Sequence, residues 1–141
     1  MVNKQNLKND KQSSKIWGGR FEKGPSVLME KINTSISFDK RLYKHDIQAS
    51  IAHVRMLKNQ KIITSKDCQK IIRGLKQIQY EIENDKFLFK DELEDIHMNI
   101  ESRLIALIGP SGGKVHTARS RNDQVITDLK LWTKEAIIEL D

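Results

Sequence analysis

One cysteine, two prolines and seven glycines among 141 residues leave little room for several kinds of protein. A lone Cys68 builds neither an intramolecular disulfide nor a multi-cysteine metal site. A chain that leans on no disulfide fits a reducing, cytoplasmic setting. The scarcity of chain breakers disfavours a many-turned β-fold and favours long helices. No run of about 18 apolar residues exists, so no membrane span is expected. The polar, lysine-rich start lacks the apolar centre of a secretory signal, which leaves the sequon Asn33-Thr34-Ser35 without a route to a glycan. The net charge of +6 is not gathered anywhere. Lysines alternate with acids along the whole chain, with no arginine-rich block and no aromatics interleaved with basic residues as stacking on bases requires. Solvated helix faces account for this charge, and nucleic acid is not an expected partner. Repeats of the solenoid kind are also missing.

What the chain does have is helical periodicity. Residues 1–14 are almost devoid of apolar side chains and read as a disordered tail. Ile16-Trp17-Gly18-Gly19-Arg20-Phe21 reads as an irregular anchored segment, and Pro25 opens a short helix through Val27, Leu28, Met29 and Ile32. From Phe38 to about Asn59 the stripe Tyr43, Ile47, Ile51, Val54 and Leu57 predicts a helix, capped by Ser37 or Asp39. Thr64-Ser65-Lys66-Asp67 resembles a capping box, followed by the stripe Cys68, Ile71, Ile72, Leu75, Ile78 and Ile82, which places Cys68 on a buried face. Asp91-Glu92-Leu93-Glu94 offers a cap for a third helix carrying Leu93, Ile96, Ile100, Leu104, Leu107 and Ile108, stopped by Gly109-Pro110. A glycine-rich loop over 111–118 comes next. Ser120-Arg121-Asn122-Asp123 then caps a last helix with Val125, Leu129, Trp132, Ala136 and Leu140 on one face. The expected fold class is all-α. The last stripe ends at Leu140 without a C-cap glycine or polar tail, so the chain is expected to be the N-terminal part of something longer.

Three groups of residues invite chemistry. Gly109-Pro110-Ser111-Gly112-Gly113-Lys114 has one residue too few for a phosphate-binding loop, and Val115 stands where a Ser or Thr would be required. His97, flanked by Glu94 and Glu101, has no second histidine on its face, so a zincin is excluded and spacing alone suggests a half-buried structural histidine at the edge of the stripe. The densest polar cluster is His116-Thr117-Ala118-Arg119-Ser120-Arg121-Asn122-Asp123. Free N–H groups at a helix start attract carboxylates, arginines grip them bidentately, and Asn both donates and accepts. On these residues alone, a helix cap with surface charge competes with an anionic small-molecule site.

The run from Gly113 to Val125, GKVHTARSRNDQV, resembles the substrate-loop motif of the argininosuccinate lyase family, which the eye-lens δ-crystallins share. Three stretches agree in order: the opening Ile16–Phe21 segment, Asn33-Thr34-Ser35-Ile36 with Asp39, and Glu94-Asp95-Ile96-His97-Met98-Asn99-Ile100-Glu101. The turn Arg119-Ser120-Arg121-Asn122-Asp123-Gln124 separates this branch from the sister fumarases, aspartases and adenylosuccinate lyases. Ser26 departs from the Asp of many members, with no consequence for chemistry.

The resemblance implies elimination of fumarate from argininosuccinate to leave arginine, in arginine biosynthesis, without metal or organic cofactor. It implies a cytoplasmic homotetramer around a long helical bundle, with each site shared among subunits. It marks Ser35 and Asn122 as substrate-binding, Ser120 and Arg121 as lining the same loop, and His97 as an active-site histidine. The family's Thr-His and Gly-Ser-Ser acid–base motifs occur nowhere in these residues, so no catalytic acid or base is expected within this chain. On this reading 15–118 form an N-terminal helical domain, and 119–141 begin the central bundle. A sister fumarate-yielding lyase and a non-catalytic, crystallin-like helical protein are the alternatives.

Overall fold

A computed structural model describes residues 32–140. The tail 1–14, the 16–21 segment and the Pro25 helix up to residue 31 lie outside the described residues. A helical turn at Ile36–Asp39 runs through a tighter 3-10 turn, Lys40–Leu42, into α1, Tyr43–Asn59. Helix α2 spans Ser65–Glu83, α3 Ile96–Ile108 and α4 Arg121–Leu140, with 3-10 segments at Asp91–Leu93 and Gly109–His116. No strand occurs among the described residues, in keeping with the all-α expectation.

α1 packs on α2, α2 on α3, and α4 on α1. The core is the set of stripes read from the periodicity: Ile47, Val54 and Leu57 of α1, Ile71, Leu75 and Ile78 of α2, and Ile96, Ile100 and Leu104 of α3 are buried. Cys68 is buried too. Truncating one such Leu or Ile to Ala costs about 2–5 kcal/mol. α2 and α3 are further clamped by Arg103, which donates from Nε and Nη2 to both Glu81 oxygens at 2.8 Å.

Caps decide where the helices begin. Thr64 accepts from the Asp67 N–H at 3.0 Å, as its motif suggests. At α1 neither Ser37 nor Asp39 serves as the cap, because the chain is already winding from Ile36 onward and enters α1 at Leu42 without a side-chain cap. The acids 91–94 do not open α3 either. They form a separate 3-10 turn, and Asp95 is the cap, accepting from the Met98 N–H at 2.7 Å. Leu93 is therefore outside the helix.

The glycine-rich stretch corrects another expectation. Gly109, at φ +72°, ends α3. The chain beyond it forms a 3-10 segment packed back along α3 rather than a loose loop. A Cβ on Gly112 would lie 2.8 Å from the Ile105 backbone nitrogen, so this glycine permits backbone-on-backbone contact.

The last helix inverts the apolar pattern. Val125, Leu129 and Trp132 are exposed, whereas Gln124 and Asp128 are buried against the rest of the fold. The surface they meet is itself polar, since it carries the buried side chains of Asp46 and His97.

Candidate functional site

The site begins with a strained turn. Glu94 has φ +59° and ψ −59°, and the Asp95 N–H donates to the Leu93 carbonyl at 2.6 Å. This is the rare hand of the three-residue γ-turn. Such backbone costs about 1–3 kcal/mol and persists only where its surroundings hold it. Here they do: the Glu94 carbonyl accepts from the Ser35 N–H at 2.8 Å and the Ile36 N–H at 3.0 Å. Asp39 accepts from the Ile96 N–H at 3.2 Å, and the Ser35 hydroxyl donates to Asp39 at 2.6 Å. Two segments distant in sequence are thereby stitched together around the start of α3. Burial pushes the Asp39 carboxyl up despite the hydrogen bonds from Ser35 and Ile96.

His97 comes next, as the second residue of α3. It is almost wholly buried, not half-buried at a stripe edge one turn in. Its Nδ1 lies 3.1 Å from Asp46 Oδ1 on α1 and 3.4 Å from Asp128 Oδ2 on α4. Gln124 Nε2 donates to the same Asp46 oxygen at 2.5 Å. Arg119 reaches inward and donates to Ser50 at 2.8 Å. Burial alone would raise the Asp46 carboxyl, but His97, Gln124 and Arg119 together hold it below the usual carboxylate range. Burial also disfavours a charged His97, yet the Asp46 hydrogen bond and the charges of Asp46, Asp95 and Asp128 raise its pKa on balance. Asp128 is pushed up to about 7, first by burial and then by the Asp46 charge, with His97 and Arg119 pulling the other way. Apart from a proton shared with the Asp46 carboxyl, neither Asp128 oxygen has a hydrogen-bond partner among the described residues.

Asp46, His97 and Asp128 bring their ligating atoms within 4.8 Å of one another, the spacing of a metal cage. The donor chemistry fits a metal poorly. Asp46 already accepts two hydrogen bonds, Arg119 supplies positive charge nearby, and the set offers only three ligands. Sharing of protons between two acids and an imidazole describes the cluster better.

Beside the cluster runs a groove of about 440 Å³. Ser35, Asp39, Arg41, Asp95 and His97 form its polar side, and apolar residues including Phe38, Leu129 and Trp132 its other side. Two residues marked by resemblance, Ser35 and His97, thus share one groove. The other three sit at the start of α4. The Ser120 hydroxyl accepts from the Asn122 N–H at 3.3 Å, and Asp123 accepts from the Ser120 N–H at 2.7 Å, a reciprocal cap. Asn122 is exposed and Ser120 largely so. Arg121 is tethered to Asp95 at 3.4 Å and reaches toward Glu101 at 3.9 Å, so it joins the helix start to the groove wall.

Lys114 does not await a phosphate. It donates to Asp67 at 2.7 Å, alongside Ser111 at 2.9 Å. Lys114, Thr64 and Ser111 together hold the Asp67 carboxyl far below the usual range. His53, remote in sequence from the 117–120 turn, reaches it in space, with Nε2 2.9 Å from the Thr117 carbonyl. Sequence reasoning misses Asp46, Gln124 and Asp128 as site members, and it takes Arg119 for a ligand-gripping arginine although that side chain turns inward to Ser50. A signal is present for Asp46: with Ser50, Val54 and Leu57 it falls on one helical line whose other end is core.

A profile of the lyase family matches residues 19–141. The argininosuccinate lyase of Bartonella bacilliformis is 55% identical over 130 residues, covering 92% of this chain and 28% of the relative. That of Chelativorans sp. is 53% identical over 135 residues, covering 96% of this chain and 28% of the relative. The chain thus spans a little over a quarter of the length of the curated relatives it matches.

Proposed function

The chain belongs to the lyase family, and from that premise we propose that it forms the carboxylate-gripping part of an enzyme that cleaves argininosuccinate to fumarate and arginine. The observation that carries this reading is the convergence of Ser35 and His97 on one groove, with Arg121 tied to that groove through Asp95. Identity of 53–55% to enzymes named argininosuccinate lyase supports the substrate.

The chemistry asked of these residues is specific. Removing a proton from the carbon next to a carboxylate drives negative charge onto that carboxylate. Preorganised donors aimed at the charge lower the barrier. His97, the Ser35 hydroxyl, the Asn122 amide and the N–H groups opening α4 are of the required type. Phe38, Leu129 and Trp132 give the groove an apolar side, exposed in this chain, which excludes water once substrate or the rest of the enzyme covers it and so strengthens each polar contact. Arg121 is drawn by internal acids, so it shapes the loop as well as offering charge. The base at the carbon and the acid at the departing nitrogen come from other parts of the enzyme, assembled as a cytoplasmic homotetramer without cofactor.

The test mixes the purified 141-residue chain with a separately expressed polypeptide carrying the remaining length of a relative, and monitors fumarate by ultraviolet absorbance. Fumarate should form from argininosuccinate only on mixing. Turnover by the chain alone, above a mock purification, refutes the division of labour. A reconstituted complex that cleaves adenylosuccinate but not argininosuccinate refutes the substrate.

A further inference from the structure

What His97 offers the groove depends on which ring nitrogen carries hydrogen. Nδ1 faces two carboxylates, on two different helices, at 3.1 and 3.4 Å. Asp46, held below the usual carboxylate range, is ionised and only accepts, so Nδ1 must donate to it. His97 also lines the groove, and Nε2 is the ring nitrogen that the two carboxylates leave free to serve it. Asp128 is the unexpected member. It is completely buried, and its polar neighbours in the cluster are His97 Nδ1 at 3.4 Å and the Asp46 carboxyl, with which it can share a proton. A residue kept only for packing has no reason to be an acid there, because an apolar or amide side chain of similar shape avoids the burial cost.

We propose that Asp46 and Asp128 are positioning residues for His97: together they hold its Nδ1–H inward and present its Nε2–H to the groove as a donor for a substrate carboxylate. The role of Nε2 rests on the groove being the substrate site. Neither acid lines the groove, so they can orient the ring without competing for the ligand. Asp46 is itself fixed by Gln124, and Arg119 lies close enough to offset the second negative charge. The other ionisable groups around the ring are Asp95 at the α3 cap and Asp39 from the preceding turn. Glu101 and His116 line the small cavity behind it. Acids outnumber cations in this set, which favours the doubly protonated ring despite its burial.

The experiment is nitrogen NMR of the 141-residue chain carrying ¹⁵N-histidine, titrated between about pH 5 and 8, the range where imidazole changes charge. His97 Nδ1 should stay protonated throughout, while Nε2 titrates with a midpoint above that of a free imidazole. Asp46→Asn should lower the midpoint by about one pH unit or more, as loss of an adjacent opposite charge does. Asp128→Asn should lower it as well while leaving the Nδ1–Asp46 signature intact. Succinate, added as a dicarboxylate probe, should move Nε2 and not Nδ1. A neutral ring with hydrogen on Nε2 and a bare Nδ1 overturns the proposal, and that measurement needs no variant to fold. Stoichiometric loss of the His97 signals with Zn²⁺ also overturns it, since the cluster would then be a metal site. If Nδ1 behaves as stated and succinate moves neither nitrogen, positioning stands and the groove reading fails.

Discussion

Asp128→Asn should stabilise this chain by an amount that is near zero below about pH 4, grows as pH rises to about 7 and levels off above it. The Asp128 carboxyl titrates at about 7 in the fold instead of the ordinary 3.8. A raised carboxyl pKa means that the folded chain holds the proton more tightly than the unfolded one. That contribution is fully present below pH 3.8 and is lost as pH rises through about 7. At about 1.4 kcal/mol per pH unit, the interval corresponds to about 4 kcal/mol at most, and relaxation of a coupled acid pair brings the expected figure to about 2–4 kcal/mol. Asn is nearly the same shape, carries no charge at any pH, and can direct its carbonyl at His97 and its amide at Asp46. The variant therefore keeps the protonated form's packing and loses the cost of ionisation. Two neighbours contribute pH dependence of their own. His97, with a raised pKa, stabilises below its ordinary value and loses this as pH climbs. Asp46, with a lowered pKa, stabilises above its ordinary value and loses this as pH falls. The comparison must therefore be wild type against variant at each pH. Urea unfolding monitored by helical circular dichroism at pH 5, 7 and 8.5 gives the difference directly. A difference between variant and wild type that does not grow from pH 5 to pH 7 would show that the fold does not hold the Asp128 proton as argued, and the reasoning would fail.

Gly112→Ala should destabilise by about 1–3 kcal/mol, as overpacking does, because its Cβ meets the Ile105 backbone at 2.8 Å and cannot move aside; an unchanged urea midpoint would contradict this. Glu94→Gly should raise stability by up to about 1 kcal/mol, the relief of positive-φ strain exceeding the added freedom of the unfolded chain, and a clear loss in the same assay would show that the Glu94 side chain contributes more than its backbone costs. In the reconstituted enzyme, Asn122→Ala should cost about 1–3 kcal/mol in kcat/KM, the penalty for an unpaired polar group in a closed site, with the melting temperature almost unchanged because Asn122 is exposed in this chain. Wild-type kinetics would remove it from the site.

Stripes of Ile, Leu and Val on α1, α2 and α3 are legible because helical spacing and burial agree: every member from Ile47 to Leu57 and from Ile71 to Ile78 that the core uses is apolar. The start of α3 is not. Four residues rich in acid look like a cap, but the register is set by the Glu94 carbonyl, which Ser35 and Ile36 grip from another part of the chain. No local pattern carries that information. The glycine-rich run misleads for a related reason. Glycine in a sequence suggests freedom, whereas Gly112 is there for closeness. The groove itself comes only from the resemblance of Ser35 and His97 to a family motif, since a lone serine and a lone histidine signal nothing by spacing.

The last helix shows most plainly how a site can hide from pattern reading. Periodicity gives α4 one apolar face, Val125, Leu129 and Trp132, which is expected to await partners outside these residues and is exposed here; hydropathy names no face for burial against the rest of this chain. Yet the helix buries Gln124 and Asp128, because the surface it meets already contains His97 from α3 and Asp46 from α1. Turning α4 to bury its apolar stripe would strand the His97–Asp46 pair without the Gln124 amide and would remove Leu129 and Trp132 from the groove wall. The polar face is inward and the apolar face lines the groove for the same reason: the position of His97 fixes both. An acid or amide in register with core residues, as Asp46 is with Val54 and Leu57, is therefore a better pointer to this site than any apolar stripe. It marks where a helix was kept from burying its most hydrophobic face.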